Sequence, residues 1–179
     1  MKLNKIWITI SIAAIVYFVV RFLYFRPTYQ VGEPAPLFSA ILADGSSFDL
    51  ERLQGKYVLL DFWGSWCGPC IKDKPVLKGL YQRYNTASFK DASGFEIVSI
   101  AVEQSDTRWR AALNRYAPVW PLQILDKVSN LRFFDGELTR QFGVKRLPSS
   151  LLLDPEGKII ETNLKLEEID PILNSQLTE

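Results

Sequence analysis

Seven consecutive residues, Tyr57–Trp63, read Tyr-Val-Leu-Leu-Asp-Phe-Trp and are apolar everywhere except Asp61. A strand with one wet face alternates apolar and polar side chains. This run does not alternate, which suits a strand buried on both faces. The neighbouring segments supply the layers such a strand needs. Residues 67–85 carry Ile71, Leu77, Leu80, Tyr81 and Tyr84 at helical spacing, and 96–102 form a second buried strand. Residues 107–116 are amphipathic, with Trp109, Ala112, Leu113 and Tyr116 on one side. A short strand is expected over 122–125 and a short helix over 138–142, stopped by Gly143. Residues 150–154 and 158–163 flank Pro155-Glu156-Gly157 and read as an antiparallel hairpin. An earlier hairpin pairs 38–42 with 48–50 across Asp44-Gly45, and 167–177 reads as a closing helix. This order predicts an α/β fold with a central mixed sheet between helical layers.

The amino-terminal end is different in kind. Residues 1–30 contain Lys2, Lys5, Arg21 and Arg26 and no acid, a local charge of +4. The rest of the chain then holds 17 basic and 20 acidic residues, a net of −3. Between residues 6 and 25 only Thr9, Ser11 and Arg21 are clearly polar. Twenty helical residues span roughly 30 Å, the thickness of a bilayer core. Trp7, Tyr17 and Tyr24 are of the type that settles at interfaces, and Arg21 is near enough the end to reach headgroups. After Val20 the chain runs Arg-Phe-Leu-Tyr-Phe-Arg-Pro, with no small residue for a signal-peptide cleavage site. The expected organisation is an uncleaved signal-anchor transmembrane segment over 1–26, a linker over 27–36, and one domain over 37–179. The implied placement is single-pass in a bacterial inner membrane, with the carboxy-terminal domain in the periplasm.

Histidine is absent, which removes His-based triads, His metal ligands and imidazole switches. The formal net charge of +1 gives no basic footprint for nucleic acid. The only two cysteines are Cys67 and Cys70. With the first at a helix start, one turn brings the sulfurs together. Unpaired amide N–H groups and the helix dipole then stabilise a Cys67 thiolate. Pro69 fits the first turn because its missing N–H had no helical partner. Cys67 is expected to be exposed and to attack; Cys70, deeper in the helix, is expected to be shielded and to resolve the mixed disulfide. Two thiols fall short of the four ligands of a structural zinc site, and a two-residue loop restrains little chain entropy as a purely structural disulfide. Redox activity is therefore the favoured chemistry, and it needs no cofactor and no metal. Trp63 reads as core, and Lys72 and Lys74 as a solvated face.

The stretch from Leu60 to Cys70, Leu-Asp-Phe-Trp-Gly-Ser-Trp-Cys-Gly-Pro-Cys, resembles the active-site stretch of thioredoxins, with Pro75 where they kink the following helix. Residues 31–36 (Val-Gly-Glu-Pro-Ala-Pro) with the following hairpin, Phe142-Gly143-Val144, Leu147-Pro148-Ser149 and residues 153–157 (Leu-Asp-Pro-Glu-Gly) are similar to the membrane-anchored TlpA/ResA branch of the thioredoxin-like superfamily. The resemblance covers about residues 31–165. It implies a thioredoxin-like fold with an amino-terminal hairpin extension. It implies that Pro148 is cis and faces the disulfide, and that Trp66, Gly68, Pro69, Leu147 and Pro148 meet the substrate. It implies that Asp61 is the buried carboxylate that exchanges a proton with Cys70 through water. Asp73 matches an acidic position that tunes the thiols in this branch; at a helix start it serves equally as a dipole complement.

The expected function is a membrane-tethered thiol-disulfide oxidoreductase that reduces disulfides of extracytoplasmic proteins, with cytochrome c maturation as one destination. Its partners would be oxidised protein substrates and a membrane thiol-electron carrier as reductant; the chain is expected to be a monomer. The Gly68-Pro69 dipeptide resembles reducing thioredoxins, near about −270 mV, more than strong oxidants near about −120 mV. Two other classes are a peroxiredoxin-like peroxidase and a redox-inert binding or metal-carrier module. Peroxiredoxins carry Thr three residues before the reactive Cys, where this chain has Gly64.

Overall fold

The computed structural model describes residues 2–24 and 29–178, with the side chains of 2–6, 23 and 24 left aside. The expected junction of apolar segment and linker, around Phe25 to Pro27, lies outside the described residues. Helix α1 covers Lys2–Tyr24, and every described side chain on it is exposed. Among the described residues no helix is long and apolar enough to cross a membrane. The transmembrane part of the expected organisation is thus not shown by the described residues.

From Tyr29 onward the chain is one α/β body. Strands β1 (Ser39–Ile41) and β2 (Ser47–Asp49) form the small hairpin. Its turn is fixed by Asp44, whose carboxylate accepts from the Ser46 N–H and hydroxyl, and by Gly45 at φ 89°. Strand β3 (Tyr57–Trp63) is buried at all seven positions, as its lack of alternation predicts. Then follow α2 (Gly68–Tyr84), β4 (Phe95–Glu103), α3 (Asp106–Tyr116), β5 (Gln123–Lys127), α4 (Glu137–Gln141), β6 (Ser149–Leu153), β7 (Ile159–Thr162) and α5 (Ile169–Ser175). The main sheet has the order β5-β4-β3-β6-β7. β3 pairs parallel with β4 and antiparallel with β6, so the sheet is mixed.

Opposite faces of β3 bury different partners. Val58, Leu60 and Phe62 lie with Val98, Ile100 and Val102 of β4 against the hairpin and α4. There Phe142 stacks edge-on against Phe38, with ring centroids 5.7 Å apart, and lies 5.6 Å from Phe62. Tyr57 and Leu59 face Leu77, Leu80 and Tyr84 of α2 and Ile169 and Leu173 of α5. Each fully buried side chain of this kind contributes about 1.5–3 kcal/mol. Pro75 sits inside α2, where its ring cannot donate to the Ile71 carbonyl. The closing helix is shorter than the spacing suggests, since 166–168 form a 3₁₀ turn and only Ile169–Ser175 is α.

Candidate active site

The end of β3 delivers the chain to Cys67 through a tight connection. The Cys67 N–H donates to the Gly64 carbonyl at 3.0 Å. Cys67 is the N-cap of α2 in extended conformation, and its Sγ accepts from the Cys70 N–H at 3.3 Å. Cys67 and Cys70 are joined as a disulfide, with Cα atoms 5.3 Å apart. Because Pro69 brings no N–H, the free amides at this helix end include those of Gly68 and Cys70, and the second is aimed at sulfur. This is the local electrostatics that favours a thiolate at Cys67 when the pair is reduced.

The exposure expected for Cys67 is not found. Cys67 is 5% exposed and Cys70 2%. Both sulfur residues pack in a small cluster with Trp63, Ala101, Trp109 and Ala112, and with the partly buried Leu147. Access differs less than position does: Cys67 caps the helix and Cys70 lies within its first turn. Around them Trp66, Gly68, Pro69 and Pro148 are exposed. The Leu147–Pro148 bond is cis and leads into β6, whose Ser149 pairs with Phe62 of β3. The structure thus brings together the five residues singled out for substrate contact.

Beneath the disulfide lies a polar network. Asp61 is 5% exposed, and its Oδ2 accepts from Lys74 Nζ at 3.1 Å and from Ser99 Oγ at 3.0 Å. Ser99 Oγ in turn accepts from the indole N–H of Trp120 at 3.0 Å. Lys74 Nζ lies 3.8 Å from the Trp63 ring centroid, a cation–π contact. Lys74 is therefore no solvated lysine: its side chain is 11% exposed. Lys72 does face solvent. The reason is helical phase. Counting from Cys70, Lys74 falls at i+4 and Leu77 at i+7, on the stripe that meets the sheet.

Asp61 also lines a cavity of about 490 Å³ with Pro69, Asp73, Leu147, Pro148 and Glu167 among its walls. Asp73 thus shares a space with Asp61. Burial raises its pKa first, the carboxylates of Asp61 and Glu167 raise it further, and Lys74 partly offsets them.

Glu103 is a residue the sequence reading missed. It is 1% exposed at the end of β4, and its Oε1 accepts from the Ser65 N–H at 2.6 Å, pinning the segment before Cys67. Its charged side chain at the end of the largely apolar segment 97–102 was the available signal. Trp66 is held by its indole N–H donating to the Val102 carbonyl at 3.0 Å. A Cβ at Gly64 would fall 2.7–2.8 Å from that indole. A side chain at Gly64, where peroxidases carry Thr, would require the Trp66 indole to shift.

The redoxin family model matches residues 30–177, from the start of the compact body to its last strand contact. The chain belongs to the redoxin family. This redoxin is 30% identical over 167 residues to the thiol-disulfide oxidoreductase ResA of Bacillus thuringiensis, covering 90% of this chain and 88% of that one. It is 29% identical to the ResA of Bacillus subtilis over 136 residues, 76% of this chain and 68% of that one. Among solved structures, the thioredoxin domain of a thiol-disulfide oxidoreductase from Bacteroides vulgatus superposes with TM-score 0.68 at 26% identity, over 82% of this chain and all of that one. A thiol-disulfide oxidoreductase from Bacteroides fragilis does so with TM-score 0.66 at 28% identity, over 80% and 98%. The fold is thioredoxin-like. With a Cys-x-x-Cys disulfide at the N-terminus of α2, this redoxin is a thiol-disulfide oxidoreductase of the ResA-like type.

Proposed function

We propose that the chain is a membrane-tethered reductant of disulfides in extracytoplasmic proteins, with cytochrome c apoprotein among its substrates. The observation that carries the reading is the Cys67–Cys70 disulfide, capped on α2 and ringed by exposed Trp66, Pro69 and Pro148. In the reduced enzyme the Cys67 thiolate attacks a substrate disulfide, forming a Cys67–substrate bond and releasing one substrate thiolate. Cys70 then attacks the Cys67 sulfur, the second substrate thiolate leaves, and the disulfide seen here is restored. Two electrons pass to the substrate, and its two thiolates take up protons. Asp61, lining the cavity beside Pro69, accepts the Cys70 proton through water, and Asp73 tunes the same space. Trp66, Gly68, Pro69, Leu147 and Pro148 form the rim that receives the substrate chain. A membrane thiol-electron carrier returns the electrons.

Support for the tether comes from the apolar sequence 6–25 and from α1, where Trp7, Ile8, Ile15, Phe18 and Phe22 are all more than half exposed. Such a helix buries its side chains in lipid more favourably than in water. On this reading the helix anchors the chain in a bacterial inner membrane and the domain lies in the periplasm. The test is insulin disulfide reduction by the dithiothreitol-reduced full chain, beside peroxide consumption. Reduction of insulin with no peroxide turnover is expected; peroxide turnover without disulfide reduction contradicts the reading. Protease accessibility in spheroplasts tests the placement: digestion of the domain in intact spheroplasts is expected, and digestion only after inner-membrane lysis contradicts it.

A further inference from the structure

Helices α2 and α3 do not close fully over the sheet. Between them lies a cavity of about 400 Å³, separate from the space shared by Asp61 and Asp73. One wall is the α2 stripe Ile71, Lys74, Pro75 and Lys78; the others come from α3, from the segment that follows it, and from Trp63 and Trp120 of the sheet side. Its volume is in the range of about 300–1,000 Å³ typical of small-molecule sites. Its charge is one-sided. Lys74, Lys78 and Arg115 line it, and no lining residue is acidic. Lys74 is neutralised by Asp61. Lys78 and Arg115 are exposed and enter no ion pair among the described residues.

A second feature points the same way. Trp63 is 2% exposed, and its indole N–H finds no acceptor among the described residues. A buried donor left unmade costs about 1–3 kcal/mol, and this one belongs to a side chain that lines the cleft. Indole walls, a proline edge and a two-cation rim suit a flat apolar body carrying one negative group.

We propose that this cleft is a binding site for a small amphipathic anion, an aromatic or comparably flat apolar molecule with a single carboxylate or sulfonate. The apolar body lies against Trp63, Trp120 and Tyr116, and the anionic group meets Lys78 and Arg115. The site stands behind the disulfide, since Trp63 packs in the cluster of Cys67 and Cys70 and Ile71 follows Cys70. It is independent of the substrate rim and of the redox reading.

The test is titration of the oxidised full chain in zwitterionic nanodiscs with 1-naphthoate, followed by the indole ¹H–¹⁵N resonances, with empty nanodiscs as reference. Trp109 provides an internal control, because its indole N–H is also buried without a partner among the described residues but does not line the cleft. Saturable movement of the Trp63 resonance with Trp109 unmoved is expected. Neutral 1-naphthalenemethanol should bind at least about tenfold more weakly, and so should naphthoate on the variant Lys78→Glu/Arg115→Glu; tenfold corresponds to about 1.4 kcal/mol. Both substitutions are on exposed side chains and leave the core untouched. A Trp63 resonance unmoved by naphthoate, or moved equally by the neutral probe or in the charge-reversed variant, overturns the proposal.

Discussion

The two faces of β3 come from the same seven residues and are built on opposite plans. On one, Val58, Leu60 and Phe62 pack into a cluster of hydrocarbon and aromatic side chains. On the other, past Tyr57 and Leu59, Asp61 and Trp63 join Lys74, Ser99 and Trp120 in a buried polar network under the disulfide. The first face loses nothing by being apolar, since packing alone stabilises it. The second holds a carboxylate and an ammonium out of water, a pair that a hydrophobic replacement of similar size often matches or exceeds in stability. The difference between the faces is the observation behind the proposal that Asp61 serves turnover while Val58, Leu60 and Phe62 serve folding.

Breaking the polar face has the largest expected effect. Asp61→Asn should slow release of the mixed disulfide by a factor of about 10²–10⁴ where that step limits. It also strands Lys74, and removing one partner of a buried pair costs about 3–5 kcal/mol. The double variant Asp61→Asn/Lys74→Met should regain stability in urea unfolding while its single-turnover rate stays low. Recovery of both together would mean that the pair is only structural.

On the apolar face, Phe62→Ala should cost about 3–5 kcal/mol, as for other buried aromatic truncations. Chemical denaturation measures this, and single-turnover kinetics on the folded protein should match the parent. A rate loss comparable to that of Asp61→Asn would erase the contrast between the faces.

The smallest effect belongs to Asp73. Its folded pKa is raised above the ordinary 3.8, so the folded state holds a proton that the unfolded state gives up as pH rises. Stability falls with rising pH between the unfolded and folded pKa values, and the loss persists above them. Asp73→Asn should therefore raise the melting temperature at neutral pH, with the gain vanishing below pH 3.8. Melting curves across pH check this; a gain that persists in acid would assign the effect to packing.

Much of the scaffold was legible because local patterns and tertiary needs agree. The unbroken run of Tyr57–Trp63 gave β3 to the residue, and Cys67 with Pro69 marked the start of α2. The burial of Asp61 followed from its neighbours. What remained hidden depends on contacts between elements remote in sequence. Lys74 reads as surface beside Lys72 until its phase with Cys70 and Leu77 is set against the sheet. Ser99 becomes a partner of Asp61 only through the parallel register of β3 and β4. The burial of Cys67 follows from Trp109 and Ala112 of α3 closing over the disulfide, a docking that no local spacing encodes. Glu103 reaches Ser65 across 38 residues.

The division of labour between the sulfurs is the centre of the account, and with Cys67 and Cys70 both buried it rests on their positions at the helix start. Substrate trapping measures it most directly. Full-length Cys70→Ser and Cys67→Ser variants, affinity-captured from cells and run on non-reducing gels with and without reductant, report which thiol attacks. A reductant-sensitive mixed disulfide accumulating on Cys70→Ser, with little on Cys67→Ser, is the predicted result. More trapped partner on Cys67→Ser would contradict it, because the attacking sulfur would then be Cys70.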